Sequence, residues 1–183
     1  MNGALDKDEL CKRIDEYNKQ YDCVQKEVHR VKQIRDKFMK KFDRDSISKM
    51  AVEDYVNGQS LESFCNMLET ALVRYGEMRG KSNSRKYGVY CVGNNIRHTK
   101  KYGKNRDAAF EKIKENINRL LTDAENGSFD EIDNNMIAPL FRSKLLAVYY
   151  PEKYLSVLIP DHIDYFLDFL GIEIGRASCR ERV

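Results

Sequence analysis

The chain has 183 residues, of which 42% are hydrophobic and 33% charged, with 32 basic against 29 acidic side chains and only three prolines. That length and balance suit one helix-rich globular domain with an extension, and they exclude collagen-like and disordered chains. The longest apolar runs are too short to cross a bilayer, and the opening MNGALDKDEL lacks the basic and apolar regions of a signal peptide, so a cytoplasmic protein without membrane contact is expected.

From Leu10 to Phe42 the apolar residues Leu10, Ile14, Tyr17, Tyr21, Val24, Val28, Val31, Phe38 and Phe42 recur at intervals of four and three, and Arg35 holds the one seam position that departs from the rule. This predicts a long amphipathic, coiled-coil-like helix over residues 1–42. Such a helix must bury its stripe on the body of the domain, on a neighbouring helix or on a second copy of the chain. Two tyrosines in the seam weigh toward a packed or antiparallel helix over a dimeric zipper, and self-association stays open.

Residues 43–174 are expected to form an α+β domain, mostly helical and compact, with a small antiparallel β-hairpin. A short helical piece around Ile47–Tyr55 ends at Asn57-Gly58. Ser60 is placed as the cap of a helix whose inner face is Leu61, Phe64, Cys65, Leu68, Leu72 and Tyr75, closed by Gly76. Lys86–Val92 reads as a strand, Gly93-Asn94-Asn95 as a turn and Ile96–Tyr102 as the returning strand. Alternation would put Tyr87, Val89 and Cys91 on one face and Lys86, Gly88, Tyr90 and Val92 on the other. Asp107 opens a helix with Phe110, Ile113, Ile117, Leu120 and Leu121 inward, stopped at Asn126-Gly127. An acidic turn over Phe129–Asn135, a helix from Pro139 to Tyr150, a short strand at Tyr154–Ile159 and a last helix from Pro160 to Gly171 complete the domain. The remaining GRASCRERV, residues 175–183, is Arg-rich and aperiodic and reads as a non-native tail. The native chain is expected to continue past Ile174.

Charge is distributed unevenly along this order. Between Arg79 and Arg106 stand nine basic residues (Arg79, Lys81, Arg85, Lys86, Arg97, Lys100, Lys101, Lys104 and Arg106) and no Asp or Glu, which leaves 23 basic against 29 acidic elsewhere. Segregation of this kind points to a polyanionic partner, DNA above all. Lys and Arg supply affinity by displacing counterions at phosphates. Lys86, Arg97, Lys100 and Lys101 are the expected phosphate contacts, with Arg79, Lys81, Arg85 and Lys104 beside them. Tyr90 and Tyr102 are placed as rings on which an unstacked base can lie. A solvated basic rim with ordinary core tyrosines is the plainer alternative.

Catalytic and metal-binding arrangements do not emerge. Gly76-Glu-Met-Arg-Gly80-Lys81-Ser82 resembles a phosphate loop only in part, since the required first glycine falls on Tyr75 and a helix precedes it where a strand is needed. Pro160-Asp161 comes after every plausible ExK, in the wrong order for a PD…(D/E)xK nuclease. Glu111, Lys112 and Glu115 read as a solvated helix face, His98 lacks a carboxylate neighbour in sequence, and His162 follows a helix cap as a structural residue. Cys11, Cys23, Cys65, Cys91 and Cys179 form no CxxC pair and have no histidine at ligand spacing, so neither zinc nor disulfides are expected. No cofactor is implied.

Two sets of words in the sequence carry a resemblance. Ser63-Phe64-Cys65 with Leu68-Glu69 and then Ser84-Arg85-Lys86-Tyr87-Gly88-Val89-Tyr90 form the first. Phe141-Arg142-Ser143-Lys144-Leu145, Tyr150-Pro151-Glu152-Lys153-Tyr154-Leu155 and Pro160-Asp161-His162 form the second. In that order, over Phe38 to Ile172, they resemble an N-terminal domain found ahead of the AAA+ motor in McrB-like restriction GTPases. The resemblance implies a bacterial DNA-recognition domain of a modification-dependent, phage-defence restriction system. In some members a modified base is flipped, which would make Tyr87, Tyr90 and Tyr102 candidates to line a pocket. It also implies an AAA+ motor and a nuclease subunit as partners. The motor is not in this sequence, so this chain itself is expected to be non-enzymatic. The alternative is a protein-interaction or oligomerisation module that works through the N-terminal helix.

Overall fold

The computed structural model of the chain describes residues 7–19, 21–78, 84–155 and 160–170. The chain divides into two compact units, Ile34–Leu158 and a second made of Met1–Gln33 with Ile159–Val183. Helix dominates the described residues, and their only sheet is a two-stranded antiparallel hairpin, in line with the expected α+β, mostly helical class. No helix among them is long and apolar enough to cross a membrane.

In the flanking unit, α1 spans Lys7–Lys19, and α2, which starts at Tyr21, continues to Lys41. Residue 20 lies outside the described residues, so the expected single helix over 1–42 is described as these two. Ile14 and Val28 of the predicted seam are 49% and 46% exposed, while Leu10 and Val31 are half-buried. Ion pairs Arg13–Glu9 and Arg30–Glu27, spaced four and three residues apart, lie on the polar face. The last helix, α9, covers Pro160–Leu170 as expected, with Ile163 and Leu167 half-buried one turn apart and His162 exposed. The tail 175–183 and most of the expected strand Tyr154–Ile159 fall outside the described residues. Tyr154 itself follows a turn, and its hydroxyl donates to the Ala124 carbonyl at 3.3 Å.

The unit Ile34–Leu158 starts earlier than the boundary drawn at residue 42, because Phe38 and Phe42 are core residues. Phe38 packs on Phe42, Phe64 and Tyr149, and Phe64 packs in turn on Tyr55 and Phe141. An aromatic core of this kind buries large apolar areas, and its pairs are tilted or edge-on except for the stacked Tyr55–Phe64. Arg35, the residue that breaks the apolar seam, has a local reason for its position. Its guanidinium donates to the Val148 and Tyr149 carbonyls at 2.6 and 3.1 Å, capping the C-terminal end of α8, Pro139–Tyr149.

Two short helices, α3 (Arg44–Lys49) and α4 (Val52–Tyr55), follow, the first capped by Asp43 accepting from the Ser46 amide at 2.7 Å. The next segment corrects the sequence reading. Leu61 is 85% exposed, and the helix starts three residues later: α5 covers Phe64–Asn66, a π-helical turn Met67–Ala71 continues it, and a 3₁₀ turn Val73–Tyr75 ends it. Ser63 occupies the cap position in place of Ser60. Leu68 and Leu72, four residues apart, share the buried face of this turn.

Long helix α6 (Arg106–Asn126) and α8 complete the core, with α7 (Phe129–Asp133) as a short helix where an acidic turn was expected. Asn105 caps α6 by accepting from the Ala108 amide at 2.8 Å, and Gly127 closes it at φ 70°, the left-handed region. Buried residues of α6 repeat as Phe110, Ile113, Ile117, Leu120 and Leu121. α8 is buried on nearly all sides, including its charged Arg142 and Lys144.

The hairpin rests on α6. Strand β1 covers Val89–Val92 and β2 covers Asn95–His98, with Val89 opposite His98, Tyr90 opposite Arg97, Cys91 opposite Ile96 and Val92 opposite Asn95. Both strands are shorter than predicted, since 3₁₀ turns at Ser84–Tyr87 and Lys100–Tyr102 flank them. Gly88 sets the first limit: at φ 77° it leaves the extended region, and a Cβ there would stand 2.6 Å from Ile113 Cδ1 and 2.7 Å from the Tyr102 ring. Only glycine allows this approach of hairpin to helix.

Candidate nucleic-acid interface

The basic segment is split between the interior and the surface. Arg79 and Lys81 lie outside the described residues. Lys86, expected at phosphates, is turned inward: it sits in the 3₁₀ turn Ser84–Tyr87 and is 8% exposed. Its ammonium donates to Glu69 Oε1 at 3.1 Å and to the Met78 carbonyl at 2.9 Å, and lies 4.9 Å from the centre of the Tyr87 ring. Glu69 in turn accepts from the Tyr87 hydroxyl at 3.0 Å and from Asn57 Nδ2 at 2.6 Å. A half-buried carboxylate with three donors fixes a buried lysine more firmly than solvent could, so this cation is used in folding.

The tyrosines are also corrected. Tyr87, Tyr90 and Tyr102 are all buried, which leaves no open ring face for a base. The Tyr87 carbonyl accepts from the Tyr55 hydroxyl at 2.6 Å, and burial drives the phenol pKa of Tyr87 far up. Tyr102 donates to the Met136 carbonyl at 2.8 Å, and burial pushes its phenol up to about 12. Buried rings this large, with the Tyr87 and Tyr102 hydroxyls satisfied by internal acceptors, are doing what core tyrosines do.

The remaining cations face outward. Arg85 is exposed beside Lys86. On the other arm, Arg97 is exposed on β2, and Lys100 and Lys101 are exposed on the turn Lys100–Tyr102. Lys101 donates to the Met136 carbonyl at 3.0 Å and lies 4.7 Å from the Tyr102 ring centre, so its stem is held along the surface. Lys104 is exposed ahead of α6, and Arg106 pairs with Asp107 at 2.7 Å. Among the described residues, Arg97, Lys100 and Lys104 have no hydrogen-bond or ion-pair partner.

Their backbone is firmly placed. The Thr99 amide donates to the Gly88 carbonyl at 2.7 Å, tying the two arms together at the root of the hairpin. A Cβ on Gly103 would meet the Ala109 amide nitrogen at 2.6 Å, so the segment after Tyr102 lies hard against the start of α6. The structure thus brings Arg97, Lys100, Lys101 and Lys104 together along β2 and the turn that follows it, and withdraws Lys86, Tyr90 and Tyr102.

Sequence reading passed over the polar groups behind this surface. Lys144 is fully buried on α8 and donates to the Leu72 carbonyl and, at 2.6 Å, to the Gly76 carbonyl. It satisfies the carbonyls released where the π-turn ends, and burial pulls its pKa down to about 7. A lysine directly ahead of the apolar run Leu145 to Val148 was the available signal. Cys65 is buried, and burial raises its thiol pKa well above the ordinary value, as for an unreactive core thiol. No group of three His, Cys, Asp or Glu among the described residues could hold a metal ion. No protein-family model, no curated protein and no solved structure matches the chain.

Proposed function

We propose that the chain is a DNA-binding specificity domain, non-catalytic in itself, of a modification-dependent restriction system. In this reading it holds the phosphate backbone with the outer rim of its hairpin. The observation that carries the DNA reading is the set Arg97, Lys100 and Lys104, exposed and unpartnered among the described residues on a backbone fixed by Gly88 and Gly103. Several surface cations elsewhere are paired, Lys37 and Lys41 with Glu62, Arg44 with Glu125 and Arg119 with Glu131, whereas ones unpartnered among the described residues, such as Lys26 and Lys32 on α2, stand among acidic neighbours in sequence. Cations left unpaired within an acid-free segment are what a polyanion requires. The restriction context, with an AAA+ motor and nuclease as partners, rests on the sequence words that resemble McrB-like N-terminal domains.

Fluorescence anisotropy with duplexes, modified and unmodified, and with single strands tests this across a salt series. Each phosphate contact adds about 0.9 to the slope of log affinity against log salt, so Arg97→Ala with Lys100→Ala and Lys104→Ala should flatten the duplex slope by about 2.7. Absence of binding by the parent chain at low salt would sink the reading.

A second reading has its own observation. Ile14 and Val28 sit exposed at predicted seam positions, which supports a protein-interaction or oligomerisation role for the N-terminal helices. Self-association in sedimentation that is abolished by Val28→Asp, together with no DNA binding, would favour it.

A further inference from the structure

The hairpin offers more than charge. Its root is buried: Val89 is in the core, Tyr90 is covered, and Cys91 is approached by Gln59 Nε2 at 3.6 Å. From Val92 to Asn95 every residue is exposed, so the tip projects from the rest of its unit. Gly93 takes φ 59° while no non-glycine among the described residues has a positive φ, the pattern of a tight two-residue II′ turn. The tip is therefore short and rigid.

Pairing and alternation put three chemically different side chains on one strip. Val92 stands opposite Asn95, and Arg97 follows Asn95 on the same face of β2. Val92 is 47% exposed, an apolar group left in water at a turn where a polar residue would serve folding equally well. A two-stranded ribbon fits a major groove about 12 Å wide, where an amide can bond the edge of adenine and an apolar side chain can touch the thymine methyl. The cations Lys100 and Lys104 lie further along the chain toward the root, where phosphates would flank a ribbon inserted tip first.

We propose that the tip enters the major groove of duplex DNA, where Asn95 and Val92 read base edges, the amide on adenine and the methyl groups on thymine. Arg97, Lys100 and Lys104 hold the backbone at the groove's rim. The inference rests on the DNA reading given above and adds the element that discriminates sequence.

The test is selection of bound sequences by the full chain from a random duplex library, followed by anisotropy on a selected duplex and a scrambled one at fixed salt. For the parent, the selected duplex should carry an A·T pair at the read position and bind about 10- to 100-fold tighter than the scrambled one. Asn95→Ala with Val92→Ala should bring that ratio to within about 2-fold and leave the salt slope unchanged, since neither residue is charged. Arg97→Ala with Lys100→Ala and Lys104→Ala should weaken both duplexes and keep the ratio. Retention of the full ratio by the tip variant overturns the inference, as does a parent that binds all duplexes equally or binds single strands alone. In those cases the DNA reading stands. Loss of all binding by the parent overturns the DNA reading itself.

Discussion

Lys86 and Lys100 come from the same acid-free segment, yet the inner and outer sides of the hairpin use them oppositely. On the inner side, Lys86 meets Glu69 and Lys144 meets the carbonyls of Leu72 and Gly76. On the outer side Arg97, Lys100 and Lys104 meet no acceptor among the described residues. Positive charge in the sequence is therefore one signal for two tasks. An acceptor reached through folding decides which task a given residue performs, and the two sides should respond to mutation in different observables.

Lys144 marks the inner extreme. Lys144→Ala leaves the Gly76 carbonyl without this donor and the Leu72 carbonyl with the Tyr75 amide alone, and opens a cavity beside α8, for an expected loss of ~3–5 kcal/mol in denaturant unfolding. A pH series sharpens this. Burial holds the folded-state pKa at about 7, below the ordinary 10.5. Across that window the unfolded chain binds a proton that the folded chain lacks, so stability should rise with pH, by at most ~1.4 kcal/mol per unit. Below about 7 both states hold the proton and the contribution levels off. Lys144→Met, which keeps the shape, should remove the rise. An identical pH profile in parent and variant would show that Lys144 keeps its proton throughout.

How much of this was legible follows from where the signals lie. α6 could be bounded to within a residue from its own sequence, with Asp107 read as the start one place inside Arg106 and Asn126-Gly127 as the stop, because caps act within a turn of the helix ends. The Pro139 and Pro160 helices and the Gly93 turn were readable for the same local reason. Lys86 was not, since its acceptor Glu69 is 17 residues away and reaches it through a π-turn that no apolar period announces. Leu61 misled because a leucine at helical spacing was counted as core, whereas the helix begins at Phe64. The tyrosines were assigned by their neighbours' charge, and the fold used them by their size. Of the predicted interface, the fold withdraws Lys86 and the tyrosines, while Arg85 and the cations of β2 and the following turn stay outward and Arg79 and Lys81 lie outside the described residues.

Lys86→Ala tests the middle of the scale. It removes a half-buried pair and leaves Glu69 with Asn57 and Tyr87 as donors, so a loss of ~1–3 kcal/mol is expected. Duplex binding measured below the unfolding range should keep the parent's salt slope, because the ammonium reaches no phosphate from the interior. A slope flattened by about 0.9 would return Lys86 to the interface.

The smallest effect on stability is expected where the effect on binding is largest. Arg97→Ala with Lys100→Ala and Lys104→Ala removes three exposed charges that touch no acceptor among the described residues, so unfolding free energy should stay within ~0.5 kcal/mol of the parent. A gain is as reasonable as a loss, since like charges along one strand and turn repel in the folded state and are further apart in the unfolded chain. The contrast with Lys86→Ala is what separates the two sides: one variant shifts the denaturation midpoint and spares the salt slope, the other spares the midpoint and flattens the slope. If the rim variant instead unfolds by ~2 kcal/mol or more, its cations have structural partners. The acid-free segment would then be a solvated rim bound into the fold on both sides, and the surface argument for DNA would fall with it.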